Sequence, residues 1–278
     1  MINLLVGLLF VSLLTVITFF IILKAGVGCK ELYSLFLIVI LIHTGAVLFI
    51  YYSGFHFGGG ADFEGYNQTA IEIAQRFSRG IFSLQGISLL HYFPVLIGLI
   101  YAITLPQMII GQLFTVWLAA FSIMLLYFTV LEIGGSKKVA FLTGLIVSFY
   151  PSYLYFGSLL LKDTVVIPLV LAGILLSIKM LKNFTWLKFL LFFIILTGAI
   201  HFRFYVGFAL MFSFIISWFL ISSFKIKEKV IYGVTIIFLL GFSPQLLGGG
   251  YYGLKSFQNF LNPERITFYR EVAYDNSL

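Results

Sequence analysis

Long apolar runs separated by short charged breaks set the pattern of this chain. A helix needs about 17–25 apolar residues to cross a bilayer. Such runs recur at roughly 2–23, 33–53, 107–131, 139–157, 164–181, 204–222 and 230–247, with a shorter one at 186–200. None shows the residue-by-residue alternation of a barrel strand. Between the second and third runs lies a polar segment, 54–90. Within it, Ala61–Arg79 predicts an amphipathic helix: Ala70, Ile71, Ala74, Phe77, Ser78 and Ile81 recur at helical spacing, and Glu72 stands four residues before Arg76 as a supporting ion pair. Residues 88–104 are apolar and carry Tyr92, Phe93, Pro94 and Tyr101. They read either as a further crossing or as a juxtamembrane helix with an aromatic belt.

Composition sharpens this into a class. Of 278 residues, 61% are hydrophobic and 10% are charged, against about a quarter charged in soluble domains. Mean hydropathy is +1.10. The expectation is an all-α, polytopic integral membrane protein of about eight transmembrane helices forming a single transmembrane domain over 1–278. An outer loop spans 54–104, and a polar outer tail, 248–278, carries Arg265 and Arg270. The net charge of +7 does not point to nucleic acid, because most basic residues fall in short loops between spans. A lone cysteine, Cys29, excludes an intramolecular disulfide and a cysteine-based metal cluster. The first run lacks the basic n-region of a signal peptide and is too long for one.

The charges also predict orientation. If 88–104 does not cross, the loops at 24–30, 132–138, 179–188 and 225–229 share one side and hold ten of the seventeen Lys and Arg. The positive-inside rule makes that side cytoplasmic. Eight spans then leave both termini outside, with 88–104 on the outer surface. If 88–104 crosses, the later lysine clusters face outward, against the rule.

The outer face then collects Asp62, Glu64, Lys162, Asp163, His201 and Arg203. Asp62 and Glu64 follow Gly58-Gly59-Gly60, and Asp62 falls where it can cap the amphipathic helix. Lys162-Asp163 and His201-Phe202-Arg203 join spans with almost no loop. Ion pairing, or contact with lipid phosphates, is one reading of these corners. The other is a site, in which cations hold the phosphate or pyrophosphate of a lipid carrier and a carboxylate acts as general base for a hydroxyl. His43 and Cys29 read as packing or interfacial residues. His56 and His91 lack the tight spacing of a metal site, so no cofactor is expected, a divalent ion at Asp62 and Glu64 being the alternative. Neither triple-glycine run precedes a nucleotide-binding strand.

This order of motifs resembles the C-type membrane glycosyltransferases, the group of protein O-mannosyltransferases and bacterial polyprenyl-phosphate-sugar transferases. The residues that carry the resemblance are Asp62-Phe63-Glu64 followed by Tyr66, then Tyr92-Phe93-Pro94, then Pro151-Ser152 leading to Leu159–Asp163, then Arg203-Phe204-Tyr205. They cover about residues 30–222. The chain departs from the pattern in having a span before the usual first one and no large outer domain after span 8. The resemblance implies a polyprenyl-phosphate-linked sugar as donor and a glycan, lipid or protein hydroxyl as acceptor, in a bacterial-type plasma membrane. Asp62 is then the base, with Glu64 orienting the acceptor or sharing that role. Lys162 and Arg203, with His201, hold the leaving phosphate, and Tyr66, Asp163 and His91 support the site. The reaction inverts the anomeric centre.

Three rival readings use the same residues. A polysaccharide polymerase or ligase would apply this chemistry to a long acceptor. For a lipid-glycan transporter or flippase, spans whose middles lack acidic and basic residues argue against ion-coupled transport and leave passive lipid scrambling open. In a non-catalytic assembly subunit the outer charges would only satisfy lipid headgroups.

Overall fold

A computed structural model describes residues 2–55, 61–87, 92–222, 224–235 and 267. All its regular structure in that range is helical. Among the described residues, five helices are long and apolar enough to cross a membrane: α1 (Ile2–Lys24), α2 (Lys30–Ser53), α5 (Met108–Glu132), α8 (Asp163–Lys182) and α10 (Phe204–Ile221). Between them run α3 (Ala61–Ser78), α4 (Phe93–Ile103), α6 (Lys137–Ser148), α7 (Pro151–Gly157) and α9 (Trp186–Phe202). The chain forms two compact units, 1–175 and 176–278.

The first unit is built around α5, which touches α1, α2, α4, α6 and α7. A helix apolar on every side is a core helix, and α5 buries residues around its whole circumference. α1 runs alongside it in the same direction. Gly7 lies against Ile110 and Leu113, and the Trp117 indole N–H donates to the Thr18 hydroxyl at 3.0 Å. The outer face of α1 leaves Leu5, Leu9, Leu13 and Phe20 exposed, as a lipid-facing surface would. α2 runs the opposite way: Cys29 meets the Tyr127 hydroxyl at 3.3 Å, and Leu32, Leu35, Phe36 and Val39 pack with Ala120, Ile123 and Met124. Gly54 ends α2 in the left-handed region, φ 65°, with its N–H on the Ile50 carbonyl.

The run at 139–157 is not one helix. α6 starts at the Ser136 cap, whose hydroxyl accepts from the Val139 N–H, and stops at Ser148. Pro151 begins α7. A proline forces its predecessor out of the α region, and Tyr150 has ψ 120°. The two pieces together still run back along α5, from Gly144 beside Ile123 to Gly157 beside Ala119.

α4 has 11 residues and rises about 16 Å, half of a hydrocarbon layer. It packs on α3 at Gly98, where a Cβ would lie 2.7 Å from Ile73 Cγ2. The buried face of α3 is Phe63, Ala70, Ile73 and Ala74. The sequence pattern put Ile71 and Ile81 on that face. Ile71 is half-buried at its edge, and Ile81 lies beyond the helix and is exposed.

In the second unit α9 and α10 form an antiparallel pair. Phe184 meets Trp218 with centroids 5.5 Å apart, Phe192 meets Phe214 at 4.6 Å, and Gly207 lies against Ile200. Residues 226–235 are helical; the Trp218 indole N–H donates to the Lys229 carbonyl at 3.0 Å. The rest of the eighth apolar run and the tail lie outside the described residues.

Candidate functional site

Asp62 and Glu64 occupy the first turn of α3, where negative charge complements the helix dipole. Both are exposed, and Phe63 between them is buried. Two residues apart on a helix, their side chains diverge by about 200° around the axis. They therefore flank the buried edge of α3 and do not share a face. A single ion chelated by both would need them on one face. Tyr66, one turn after Asp62 and on its side of the helix, sets its ring edge-on to Phe93 at 5.4 Å and so ties α3 to α4. Glu72 and Arg76 form an ion pair at 2.8 Å, and Arg76 also donates to the Gln85 carbonyl, which folds the following turn back on the helix.

Lys162 and Asp163 sit where α7 gives way to α8. Ser158, Leu159 and Leu160 are buried, so this corner is set into the core. The Lys162 carbonyl accepts the N–H groups of Val165 and Val166, and Asp163 lies in the first turn of α8, again complementing a helix dipole. Leu160 and the Tyr101 hydroxyl both press on Gly111: a Cβ there would lie 2.7 Å from Leu160 Cδ1 and 2.8 Å from that hydroxyl. The same hydroxyl donates to Asn67 Oδ1 at 2.8 Å. Asn67 on α3, Tyr101 on α4, Gly111 on α5 and Leu160 of the corner thus form one chain of contacts. It brings the acidic first turn and the Lys162-Asp163 corner to the same end of α5. Sequence reasoning did not single out Asn67, Tyr101, Gly111 or Leu160 as members of a site; an Asn and a Tyr on otherwise apolar helix faces were the available signal.

The other end of α5 is the lysine end. Lys24 and Lys30 flank the turn between α1 and α2, and Lys137 and Lys138 open α6.

His201 and Arg203 belong to the second unit. His201 Nδ1 donates to the Thr197 carbonyl at 2.9 Å. Arg203 is the extended residue between α9 and α10, φ −148°. Its guanidinium donates to the Tyr205 hydroxyl and lies 5.7 Å from that ring's centroid. His43 is fully buried, edge-on to Tyr153 at 5.3 Å. His56, His91, Gly58–Gly60, Arg265 and Arg270 fall outside the described residues. Among the described residues, no three His, Cys, Asp or Glu side chains gather as a metal site would require.

No protein-family model, curated protein sequence or solved structure matches this chain.

Proposed function

We propose that the protein is a membrane glycosyltransferase that moves a sugar from a polyprenyl-phosphate carrier to an acceptor hydroxyl at the outer membrane surface. The observation that carries this reading is the chain Asn67–Tyr101–Gly111–Leu160, which gathers carboxylates and a cation at one end of α5 while lysines collect at the other. The lysine-rich end is the cytoplasmic one by the positive-inside rule, in an eight-span arrangement with α4 on the outer surface. Asp62 takes the proton of the acceptor hydroxyl as its oxygen bonds to the anomeric carbon. The bond from that carbon to the phosphate oxygen breaks, and the electron pair leaves with the phosphate. Lys162 stabilises its growing charge. Because Asp62 and Glu64 diverge on α3, one carboxylate serves as base, and a single inverting displacement needs only one. The C-type transferase resemblance supplies the donor class.

One observation favours a second reading, a lipid-glycan flippase. Discontinuous helices mark transporter sites, and α6 and α7 are the two halves of an interrupted run.

Purified protein incubated with radiolabelled polyprenyl-phosphate sugars and a crude acceptor fraction decides between them. Wild type transfers label, and Asp62→Asn loses roughly 100- to 10,000-fold of that rate. Turnover by neither protein, with lipid-linked sugar still exchanged between leaflets of proteoliposomes, selects the flippase. Equal turnover by both moves the base to Glu64 or Asp163.

A further inference from the structure

Two polar side chains in the interior of the first unit are unanswered by the atoms around them. His43, midway along α2, is 0% exposed, and neither ring nitrogen has a hydrogen-bond partner. Gln112 on α5 is 1% exposed, and both polar atoms of its amide are unpartnered. A neutral imidazole carries one donor and one acceptor, and a carboxamide carries two donors and an acceptor. Left unpaired in a lipid-embedded core, such groups are costly, because no solvent reaches them from the sides.

The two residues belong to one seam. Gly157 of α7 lies so close to His43 that a Cβ would sit 3.1 Å from Cε1 and 3.2 Å from Nδ1. The same Cβ would be 3.7 Å from Ala119 of α5. Gln112 precedes Ala119 by seven residues, two turns along the same face of α5. Tyr153, edge-on to His43, donates its hydroxyl to the Ala119 carbonyl at 2.8 Å. The seam therefore runs between α2, α5 and α7.

The helices that line the seam bring no charge into it, which favours a neutral occupant. α7 carries no charged residue. α2 has charges only at Lys30 and Glu31, α5 only at Glu132, and α6 only at Lys137 and Lys138, all at the far end of the unit from Gln112. The occupant must also both donate and accept, in a space bounded by packed helices. Water is the smallest molecule that does so. We propose that the seam between α2, α5 and α7 is an internal hydration site, in which a short file of bound waters runs along α5 to link His43 to Gln112 and holds the short helix α7 in place. Because α7 leads into Ser158–Lys162, this water also underpins the Lys162-Asp163 corner, whatever reaction the corner serves.

X-ray hydroxyl-radical labelling of the full chain in nanodiscs tests this, since bound water is radiolysed where it sits. His43 is expected to label at least tenfold faster than Phe36 and Phe192, which are 1% and 0% exposed, and to approach Tyr52, which is 68% exposed. Labelling of His43 at the level of Phe36 overturns the site. Gln112→Leu is expected to slow His43 labelling severalfold; a rate unchanged by that substitution overturns the link. His43→Leu separates the cases independently of labelling. It lowers the thermal midpoint if water satisfies the imidazole, and a raised midpoint, the mark of a dry and unpaired ring, overturns the proposal.

Discussion

Tyr101 joins three helices through one hydroxyl. The group donates to Asn67 on α3 while resting on the backbone of α5 at Gly111. Tyr101→Phe keeps the ring and leaves Asn67 Oδ1 without this donor. We expect a loss of about 1 kcal/mol, read as a lower midpoint in detergent or thermal unfolding. Burial also raises the phenol's pKa above its ordinary 10.0. The folded chain then holds a proton that the unfolded chain gives up, so stability is intact below pH 10 and falls as pH climbs beyond it. Unfolding midpoints measured between neutral pH and pH 11 should show that alkaline fall in wild type and a shallower one in Tyr101→Phe. Sequence alone identified Asp62, Glu64, Lys162 and Asp163 as rare charges, because a charge stands out in an apolar chain. It did not reveal that Tyr101 links their elements. That link depends on which residues of distant helices meet, and an apolar helix carries little pattern to say which way it faces.

At the level of elements, hydrophobic run length located α1, α2, α5, α8 and α10 to within a few residues, since the number of apolar residues fixes how far a helix extends. It failed at 139–157, where total apolar length was right and one proline divided the run into α6 and α7. It also misjudged one edge of α3, because a two-sided periodicity cannot separate a half-buried Ile71 from a fully buried Ile73. What seats α3 is Gly98 on α4. A Cβ there would meet Ile73 Cβ at 2.8 Å and the Ala70 carbonyl oxygen at 3.1 Å. Gly98→Leu should therefore push α3 off α4 at a cost of about 1–3 kcal/mol. The expected signature is faster amide hydrogen exchange throughout α3 with α5 unchanged. Slowed exchange or none would mean that α3 is held by other contacts. A second effect follows for the proposed reaction: Gly98→Leu should impair transfer even though it lies outside the reacting groups, because it displaces Asp62.

At the largest scale the first unit is polarised, with four lysines at one end and its acidic turn at the other. Single cysteines at Glu64 and Asp163, in a Cys29→Ala background, should react with an impermeant thiol reagent added outside intact cells, and one at Lys137 should not. The reverse pattern would invert the assigned orientation. The second unit has a different character. Between Phe202 at the end of α9 and Phe204 at the start of α10 stands one residue, Arg203. A corner this short gives a protease no extended stretch to grip, and an inserted epitope has nowhere to go without unwinding a helix. Limited digestion should therefore release α9 and α10 as one fragment. Tags and cleavage sites belong instead in the exposed turn after α3, where Arg79 to Ser83 lie open.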